Sequence, residues 1–348
     1  MSRPRLSVVV PVYKTEPYLR RCLDSILSQD FEQMEVICIN DGSPGAAADI
    51  LAEYAAKDSR LIVIHQANEG QAAARMAGLR VAQGEWISLV DSDDFLEPGI
   101  YRKAMQYAAP DVDVVCFASR IVEEGSKAPS NLEDYLKFPK KGKVTVTPED
   151  IRLTNVMAWN KLWRRRIIER HGIPMPVNHI HEDYVFYYAY MAMARNMYVM
   201  EEIGYNYVIR PDSLTRSYEE YSVENIISYS HSWNYILEFY AGHGRLTALA
   251  EMVLEILKYY FGVCEKLTAE ADRRKAVSAF KSLLVKYRIL ELYLSPLQKE
   301  DTRLWWCYKL SFGKRRKARK EEHRKHHCYL QALQSSLKSF EESLDGDS

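Results

Sequence analysis

The amino-acid sequence predicts an α/β protein with a mostly parallel sheet flanked by helices, followed by a helical C-terminal region. The first third of the 348 residues alternates short apolar runs with helical patterns. This order of elements builds a parallel sheet with helices on both faces. From about residue 220 to residue 295, apolar residues recur at intervals of three and four, which indicates helices.

Five apolar runs in the first third predict strands, because they are short and rich in β-branched residues. They cover residues 6–13, 34–39, 61–65, 86–90 and 112–118. Helices are predicted between them over residues 17–28, 46–56, 70–82 and 98–108. Pro17 suits the first turn of its helix, since its missing N–H would have no partner there. Beyond them, residues 123–150 predict a polar loop or lid, and residues 184–200 predict an aromatic, methionine-rich helix.

Charge and cysteine content narrow the class of protein. Lys+Arg and Asp+Glu both number 47, so the net charge is zero; a dedicated nucleic-acid binder would carry a basic field instead. The six cysteines form no Cys-x-x-Cys pair. This favours reduced thiols over a disulfide framework or a zinc site, and it predicts a cytoplasmic protein. The first strand ends Pro11-Val12-Tyr13 and lacks the Gly-x-Gly-x-x-Gly turn that a nicotinamide oxidoreductase would place there.

Three aspartates, Asp91, Asp93 and Asp94, directly follow the predicted strand 86–90. Open α/β sheets bind ligands at the carboxyl ends of their strands. Clustered carboxylate oxygens suit Mg²⁺ or Mn²⁺ bridged to phosphate, so the cluster predicts a metal-bound nucleotide diphosphate. A solvated acidic turn, with Asp94 capping a helix, would also account for these residues.

A series of short motifs occurs in a fixed order, each at a predicted strand or helix end. The series is Pro11-Val12-Tyr13, Asn40-Asp41-Gly42-Ser43, Asn68-Glu69-Gly70 with Ala74-Arg75 and Gly78, Asp91-Ser92-Asp93-Asp94, Trp159-Asn160-Lys161-Leu162-Trp163, His181-Glu182-Asp183 and Arg210-Pro211-Asp212-Ser213. It closely resembles the family 2 glycosyltransferases of the bacterial polysaccharide type, whose GT-A fold has a Rossmann-like sheet. The resemblance covers about residues 5–217. We therefore expect a GT-A catalytic domain over 1–217, a helical region over 218–298 and a basic, aromatic tail over 299–348.

The resemblance implies an inverting enzyme of cell-surface polysaccharide synthesis. Its donor would be a nucleotide diphosphate sugar, expected to be a UDP-sugar, and a hexose or hexose derivative would pass to a hydroxyl of a glycan or lipid-linked acceptor. Mn²⁺ or Mg²⁺ is the implied cofactor. Two alternatives stay open: a metal-dependent nucleotidyltransferase, which would leave the Glu182-Asp183 and Arg210 motifs unexplained, and a non-catalytic, membrane-docked nucleotide-sugar-binding protein.

The resemblance also assigns donor-binding roles to residues at the ends of three strands. It implies that Asp41 accepts the N3–H of uracil, that Asp91 contacts the ribose or the metal, and that Asp93 ligates the metal directly. Pro11 and Tyr13 are expected to line the base pocket. An Asp-Gly turn would also explain Asp41, and Tyr13 would also fit as a strand-end aromatic residue.

Other donor contacts are expected from the start of helix 70–82 and from later segments. These residues are Gly70, Arg75, Ser92, Asn160, Lys161 and Arg210. Free N–H groups at a helix start can face an anion, although the alanines of this helix also suit tight packing on the sheet. Arginine suits bidentate phosphate contact. Trp159 would stack on a sugar, or it would belong to a core along which Lys161 snorkels.

The pair Glu182-Asp183 precedes the predicted aromatic helix. A sugar hydroxyl is a poor nucleophile at neutral pH, so a positioned carboxylate is useful as a general base. The resemblance assigns this role to Asp183, with Glu182 orienting acceptor or donor. Acidic residues at a helix start also simply complement the helix dipole. His179 and His181 are neighbouring candidates for contacts to the metal.

The C-terminal tail carries an aromatic segment followed by a basic one. Residues 304–312 are aromatic, and residues 314–325 hold eight Lys/Arg against two Glu. This combination is typical of a helix that lies on an anionic membrane, which predicts a peripheral protein on the inner face of the cytoplasmic membrane. A helix that packs on the catalytic domain is the alternative.

Overall fold

A computed structural model of the chain describes residues 3–125, 136, 138–177, 179–210, 222–289 and 292. It divides the chain into two compact units, Met1–Leu283 and Leu284–Ser348. The first unit holds the sheet and most of the helical region. The predicted tail lies outside the described residues, as does the boundary predicted at residue 217, so both stay predictions.

The sheet confirms the predicted α/β class. Its strands are β1 (Leu6–Val12), β2 (Met34–Asp41), β3 (Leu61–Gln66), β4 (Trp86–Leu89), β5 (Phe95–Leu96), β6 (Val114–Glu123), β7 (Gly142–Thr145), β8 (Lys161–Arg164) and β9 (Asn196–Ile209). The helices are α1 (Glu16–Leu27), α2 (Ala47–Lys57), α3 (Gln71–Val81), α4 (Ile100–Gln106), α5 (Pro148–Leu153), α6 (Arg165–His171), α7 (Glu182–Met191), α8 (Val223–Gly242), α9 (Leu246–Glu265) and α10 (Glu270–Lys286).

The strand order is β3-β2-β1-β4-β8-β6-β9-β5, with β7 paired to β9. Strands β1 to β4 are parallel to one another. Every residue of β1 and β2 is buried, as expected for strands covered by helices on both faces. Because β1 to β4 are parallel, their carboxyl ends lie along one edge of the sheet, which we call the carboxyl edge. The opposite edge is the amino edge.

The second half of the sheet departs from the predicted alternation. Strand β8 is antiparallel to both β4 and β6, between which it lies. The helix predicted over residues 184–200 is wrong in its second half, because α7 ends at Met191 and β9 begins at Asn196. Short runs of methionine and aromatic residues fit a buried helix or a strand equally well, so composition alone placed the boundary too late.

Helix α3 packs closely against the sheet through its small residues. A Cβ added at Gly78 would lie 2.4 Å from Val9 Cγ1 and 2.8 Å from Ile39 Cδ1, so only glycine permits this approach. Ala74 is fully buried on the same helix. The expected packing of the alanines is thereby confirmed, and it directs the first turn of α3 to the carboxyl edge.

The helical region is confirmed by α8, α9 and α10. Helix α8 packs on α7: the Tyr240 hydroxyl donates to the Tyr188 carbonyl at 3.1 Å, and the Trp233 ring lies 5.0 Å from the Tyr188 ring. Within the described part of the chain, no helix is both long and apolar enough to cross a bilayer.

Candidate functional site

Asp41 closes β2 at the carboxyl edge and holds the loop that leads into α3. Its carboxylate accepts hydrogen bonds from Gln66 Nε2 at 2.8 Å, from the Glu69 N–H at 3.0 Å and from the Gly70 N–H at 2.9 Å. Gly70 has φ +88°, a conformation that side chains disfavour. Only 2% of Asp41 is exposed. The residue therefore shapes this loop, whatever further contact it makes to a base.

The aspartates after β4 divide into an inward and an outward group. Asp94 is buried and accepts from the Tyr205 hydroxyl and the Val208 N–H, both at 2.7 Å. Burial raises the pKa of Asp94 well above its usual range, and the charges of Asp93 and Asp91 add to the shift. Asp94 thus ties the loop to β9, whereas Asp91 and Asp93 keep 17% and 21% of their side chains exposed.

Arg75 connects the two candidate catalytic motifs. Its guanidinium donates to Asp91 Oδ1 at 2.5 Å and to Glu182 Oε1 at 3.0 Å, and only 3% of its side chain is exposed. Arg75 Nε is buried without a hydrogen-bond partner among the described residues. The predicted phosphate-binding arginine therefore lies between the aspartate cluster and the Glu182-Asp183 pair, and it holds both in place.

The Glu182-Asp183 pair begins α7, as expected from the sequence. Burial raises the pKa of Glu182 to about 7; Arg75 opposes this shift and Asp183 adds to it. The pKa of Asp183 is also raised, first by burial, against the lowering effects of Arg75 and His181. Carboxyl groups with such raised pKa values are candidates for proton transfer near neutral pH.

Arg210 lies at the end of β9, beside the aspartate cluster. Its Nε donates to Asp93 Oδ2 at 2.8 Å, and its guanidinium lies 5.6 Å from the Tyr18 ring. The pKa of Asp93 is raised by burial and by Asp91, and lowered by Arg210. The structure therefore brings the predicted Arg210 to the predicted metal ligand. The rest of this motif, through Ser213, lies outside the described residues.

Among the other predicted donor residues, Tyr13 is exposed, whereas Pro11 and Ser92 are buried. Pro11 is buried at the end of β1, and Tyr13 after it is 41% exposed at the carboxyl edge. Ser92 is buried and shares a hydrogen bond of 2.8 Å with Thr15. Tyr13 thus has the surface that a base contact requires, whereas Ser92 fixes the aspartate loop to the start of α1.

Asn160 and Lys161 are fully buried instead of lining an open surface. The Lys161 ammonium donates to the Met157 carbonyl and to Asn160 Oδ1, both at 2.7 Å. It also lies 5.3 Å from the Phe138 ring. Burial lowers the pKa of Lys161 to about 8. Leu162 pairs with Ser88 in the antiparallel ladder, so Lys161 and Asn160 lie beside the end of β4, at the carboxyl edge. In this arrangement their side chains bond one another and the Met157 carbonyl, and they position the start of β8.

Sequence reasoning missed Tyr205, Thr15 and Gln71. The Tyr205 hydroxyl bonds both Asp94 and the Asp91 N–H, and Gln71 Nε2 donates to Asp91 Oδ1 at 2.9 Å. Gln71 directly follows Gly70 in the third motif, a signal that could have identified it. Tyr205 lies on β9, a strand that the sequence patterns did not predict, so no sequence signal linked it to the cluster.

His179 and His181 are directed towards α8. His179 Nε2 bonds Ser232 Oγ at 2.7 Å, and His181 Nε2 bonds Asn225 Oδ1 at 3.0 Å. The described residues hold no group of three or more His, Cys, Asp or Glu side chains arranged around a metal. Asp91 and Asp93 nevertheless fit Mg²⁺ or Mn²⁺, since both are oxygen ligands, are partly exposed and carry mutually unfavourable charge. Mg²⁺ commonly uses one or two carboxylates and completes its shell with substrate phosphates.

Comparisons with known proteins agree with this geometry. The Glycosyl transferase family 2 profile matches residues 7–172. The putative glycosyltransferase EpsH of Bacillus subtilis is 34% identical over 235 residues, which cover 63% of this chain and 65% of EpsH, slightly less than two thirds. An uncharacterized glycosyltransferase of Haemophilus influenzae is 30% identical over 54% of this chain and 72% of that protein.

A crystal structure of S. aureus TarS 1-349 in complex with UDP has the same fold. The TM-score is 0.64 at 22% identity, over 84% of this chain and 85% of that one. The fold, the order of the motifs and the sequence matches agree, and we conclude that this chain belongs to glycosyltransferase family 2.

Proposed function

We propose that the chain is an inverting glycosyltransferase that moves a hexose or hexose derivative from a UDP-sugar to a hydroxyl of a glycan or lipid-linked acceptor in cell-surface polysaccharide synthesis. One observation carries the proposal: Arg75 joins Asp91 of the aspartate cluster to Glu182 beside Asp183. A donor-binding group and a candidate base therefore share one edge of the sheet. The likeness to a UDP complex of TarS supports the choice of nucleotide.

The carboxyl edge offers groups for each part of the donor. Tyr13 supplies an exposed ring beside Asp41, so the uracil base would lie there. Asp91 and Asp93 would hold Mn²⁺ or Mg²⁺, which neutralises the charge of the leaving diphosphate. Arg210, now on Asp93, is close enough to contact a phosphate that approaches the same carboxylate.

Transfer requires a hydroxyl to attack the anomeric carbon from the face opposite the diphosphate. Asp183 accepts the hydroxyl proton as the new C–O bond forms. The bond from the anomeric carbon to the diphosphate oxygen breaks, and its electron pair leaves with UDP. Arg75 and Glu182 keep the carboxylate beside the donor, so Glu182 acts as a positioning residue. One displacement inverts the anomeric centre without an enzyme-linked sugar.

Calorimetry with UDP tests the donor part of the proposal. We expect UDP to bind in the presence of Mn²⁺ and to lose most of its affinity when a chelator removes the metal. Asp93→Asn should weaken the metal-dependent binding of UDP. The control Glu53→Gln removes an exposed carboxylate of α2 that is ion-paired with Arg20, and it should leave UDP binding unchanged. Equal UDP affinity with and without metal would refute the role of the aspartates as metal ligands.

The acceptor is proposed to lie at a membrane, on the strength of the tail. Its aromatic segment 304–312 and the basic segment 314–325 would contact anionic lipid, each cation contributing on the order of 1 kcal/mol. Sedimentation with vesicles should show binding that rises with anionic lipid and falls, without vanishing, at high salt. A chain that ends at residue 303 should stay in solution and still bind UDP. Absence of any binding by the full chain would contradict this docking.

A further inference from the structure

A cavity lies at the amino edge of the sheet, away from the carboxyl edge. Its volume is about 740 Å³, within the range of small-molecule sites. It is lined by residues before β6, on α6, before β9 and at the turn between α8 and α9. Because β4 and β6 are parallel, the start of β6 and the end of β4 lie at opposite edges.

The cavity is rich in arginine. Arg166, Arg170, Arg195 and Arg245 line it, against the two carboxylates Asp111 and Asp113. Arginine remains protonated in proteins, so the excess positive charge persists at any physiological pH. In contrast, Arg164 and Arg165, which open the same helical segment, are ion-paired with Glu85 and Glu169.

The two carboxylates of the cavity are already engaged. Asp111 is paired with Lys143. Asp113 accepts from the Arg195 N–H at 2.9 Å and from the Arg166 guanidinium at 3.4 Å. They therefore leave the guanidinium groups of Arg170, Arg195 and Arg245 without an ion pair among the described residues.

Two further observations indicate an anionic ligand. Arg245 Nε is buried and has no hydrogen-bond partner within the described part of the chain; such a donor loses its hydration without compensation. Arg166 and Arg170 lie four residues apart on α6, a spacing at which like charges repel. A bound anion with several acceptor oxygens would supply a partner for Arg245 Nε and would reduce the repulsion between Arg166 and Arg170. Phosphate oxygens match the geometry of guanidinium groups.

We propose that this cavity binds a phosphate ester, with the phosphate on Arg170 and Arg245 and its hydroxylated part along the remaining polar lining. The cavity exceeds the size of one phosphate, so it would hold a sugar phosphate or a short phosphodiester segment of a polymer. The site is separate from the donor site and does not depend on the proposed transfer reaction.

Titration calorimetry of the full chain, with chelator and without UDP, tests the site. The probes are glycerol 3-phosphate, a monoester, and glycerophosphoglycerol, a diester. We expect at least one of them to bind in a salt-sensitive manner. Arg170→Gln combined with Arg245→Gln should weaken that binding at least about tenfold, the usual size of a lost charge-assisted bond. Preference for the monoester would identify a free sugar phosphate as the source, and preference for the diester a polymer.

The control is Arg20→Gln, which removes an exposed arginine paired with Glu53 and should bind the probe like the parent. Arg170→Gln alone, on an exposed side chain, gives a second variant if the double variant unfolds. Equal probe affinity in Arg170→Gln and the parent would overturn the proposal, as would failure of both probes to bind. A glutamate peptide that binds more tightly than either ester, with the same dependence on Arg170, would also overturn it.

Discussion

The two edges of the sheet use arginine in opposite ways. At the carboxyl edge, Arg75 and Arg210 each contact an aspartate of the cluster after β4. At the amino edge, four arginines line one cavity, whose two carboxylates are paired with Lys143 and Arg166. In the first arrangement each arginine is paired with acids of the protein, and in the second the arginines outnumber the acids.

The difference shows how an anion can be bound in two ways. At the carboxyl edge the arginines are paired with acids. A negatively charged donor is therefore expected to gain little affinity from these arginines until a cation binds the aspartates. Where arginines are in excess, an anion needs no metal. We therefore expect metal dependence to distinguish the two edges, and substitutions at each edge to have distinct effects.

The largest expected effect follows from Asp183→Asn at the carboxyl edge. The amide retains the shape of the side chain but cannot accept the hydroxyl proton. Turnover should fall roughly 10²–10⁴-fold, the usual contribution of a general base, while UDP affinity stays near that of the parent. Sugar transfer from a panel of UDP-sugars provides the measurement. Transfer at the parent rate would assign the base to another residue.

Removal of the Arg75 bridge should have the next largest effect. Arg75→Gln leaves Asp91 and Glu182 close together without their shared cation, and an unpaired buried charge costs about 3 kcal/mol or more. Urea denaturation should show this loss in the free energy of unfolding. Arg20→Gln breaks an ion pair whose side chains are 50% and 39% exposed, and it should leave the free energy of unfolding near that of the parent, because exposed ion pairs contribute little. Similar losses of unfolding free energy in both variants would show that the Arg75 bridge does not stabilise the fold.

Lys161 offers a smaller test, because its ammonium group is fully buried. Its pKa is lowered from 10.5 to about 8, so between these values the unfolded chain binds more protons than the folded one. Stability from this group therefore rises as pH increases from 8 to 10.5. The free energy of unfolding of the parent, minus that of Lys161→Met, should grow by about 2 kcal/mol between pH 7 and pH 10. A constant difference would show that Lys161 titrates normally.

The sequence was sufficient for the parallel half of the sheet and for most residues at the carboxyl edge. Continuous apolar runs such as β1 and β2 are local patterns, and Asp41, Asp91 and Asp93 directly follow strands. The end of a strand fixes where the next residue lies, so the order of the motifs predicted which of these aspartates would lie at the same edge of the sheet. Arg75 was predicted at the site too, but its link to Glu182 depends on folding between distant segments.

The rest depended on tertiary contacts that no local pattern contains. The burial of Lys161 follows from β8 lying between two strands, whereas its motif alone left a donor contact and a position along the core both open. The amino-edge cavity gathers residues from four separate segments, and of its four arginines only Arg166 and Arg170 are close in sequence. Periodicity can show that α6 is a helix, but it cannot show which arginines find a carboxylate.

The position of β8 has a consequence for how the protein is made. During synthesis, β1 to β4 emerge well before Lys161–Arg164, and β4 has no partner on its outer side until that segment arrives. All four residues of β4 are buried in the finished sheet, so this open edge is apolar and prone to pair with other chains. A fragment that ends before residue 161 should therefore aggregate, whereas one that includes β8 closes the edge and gives β6 a strand on which to dock.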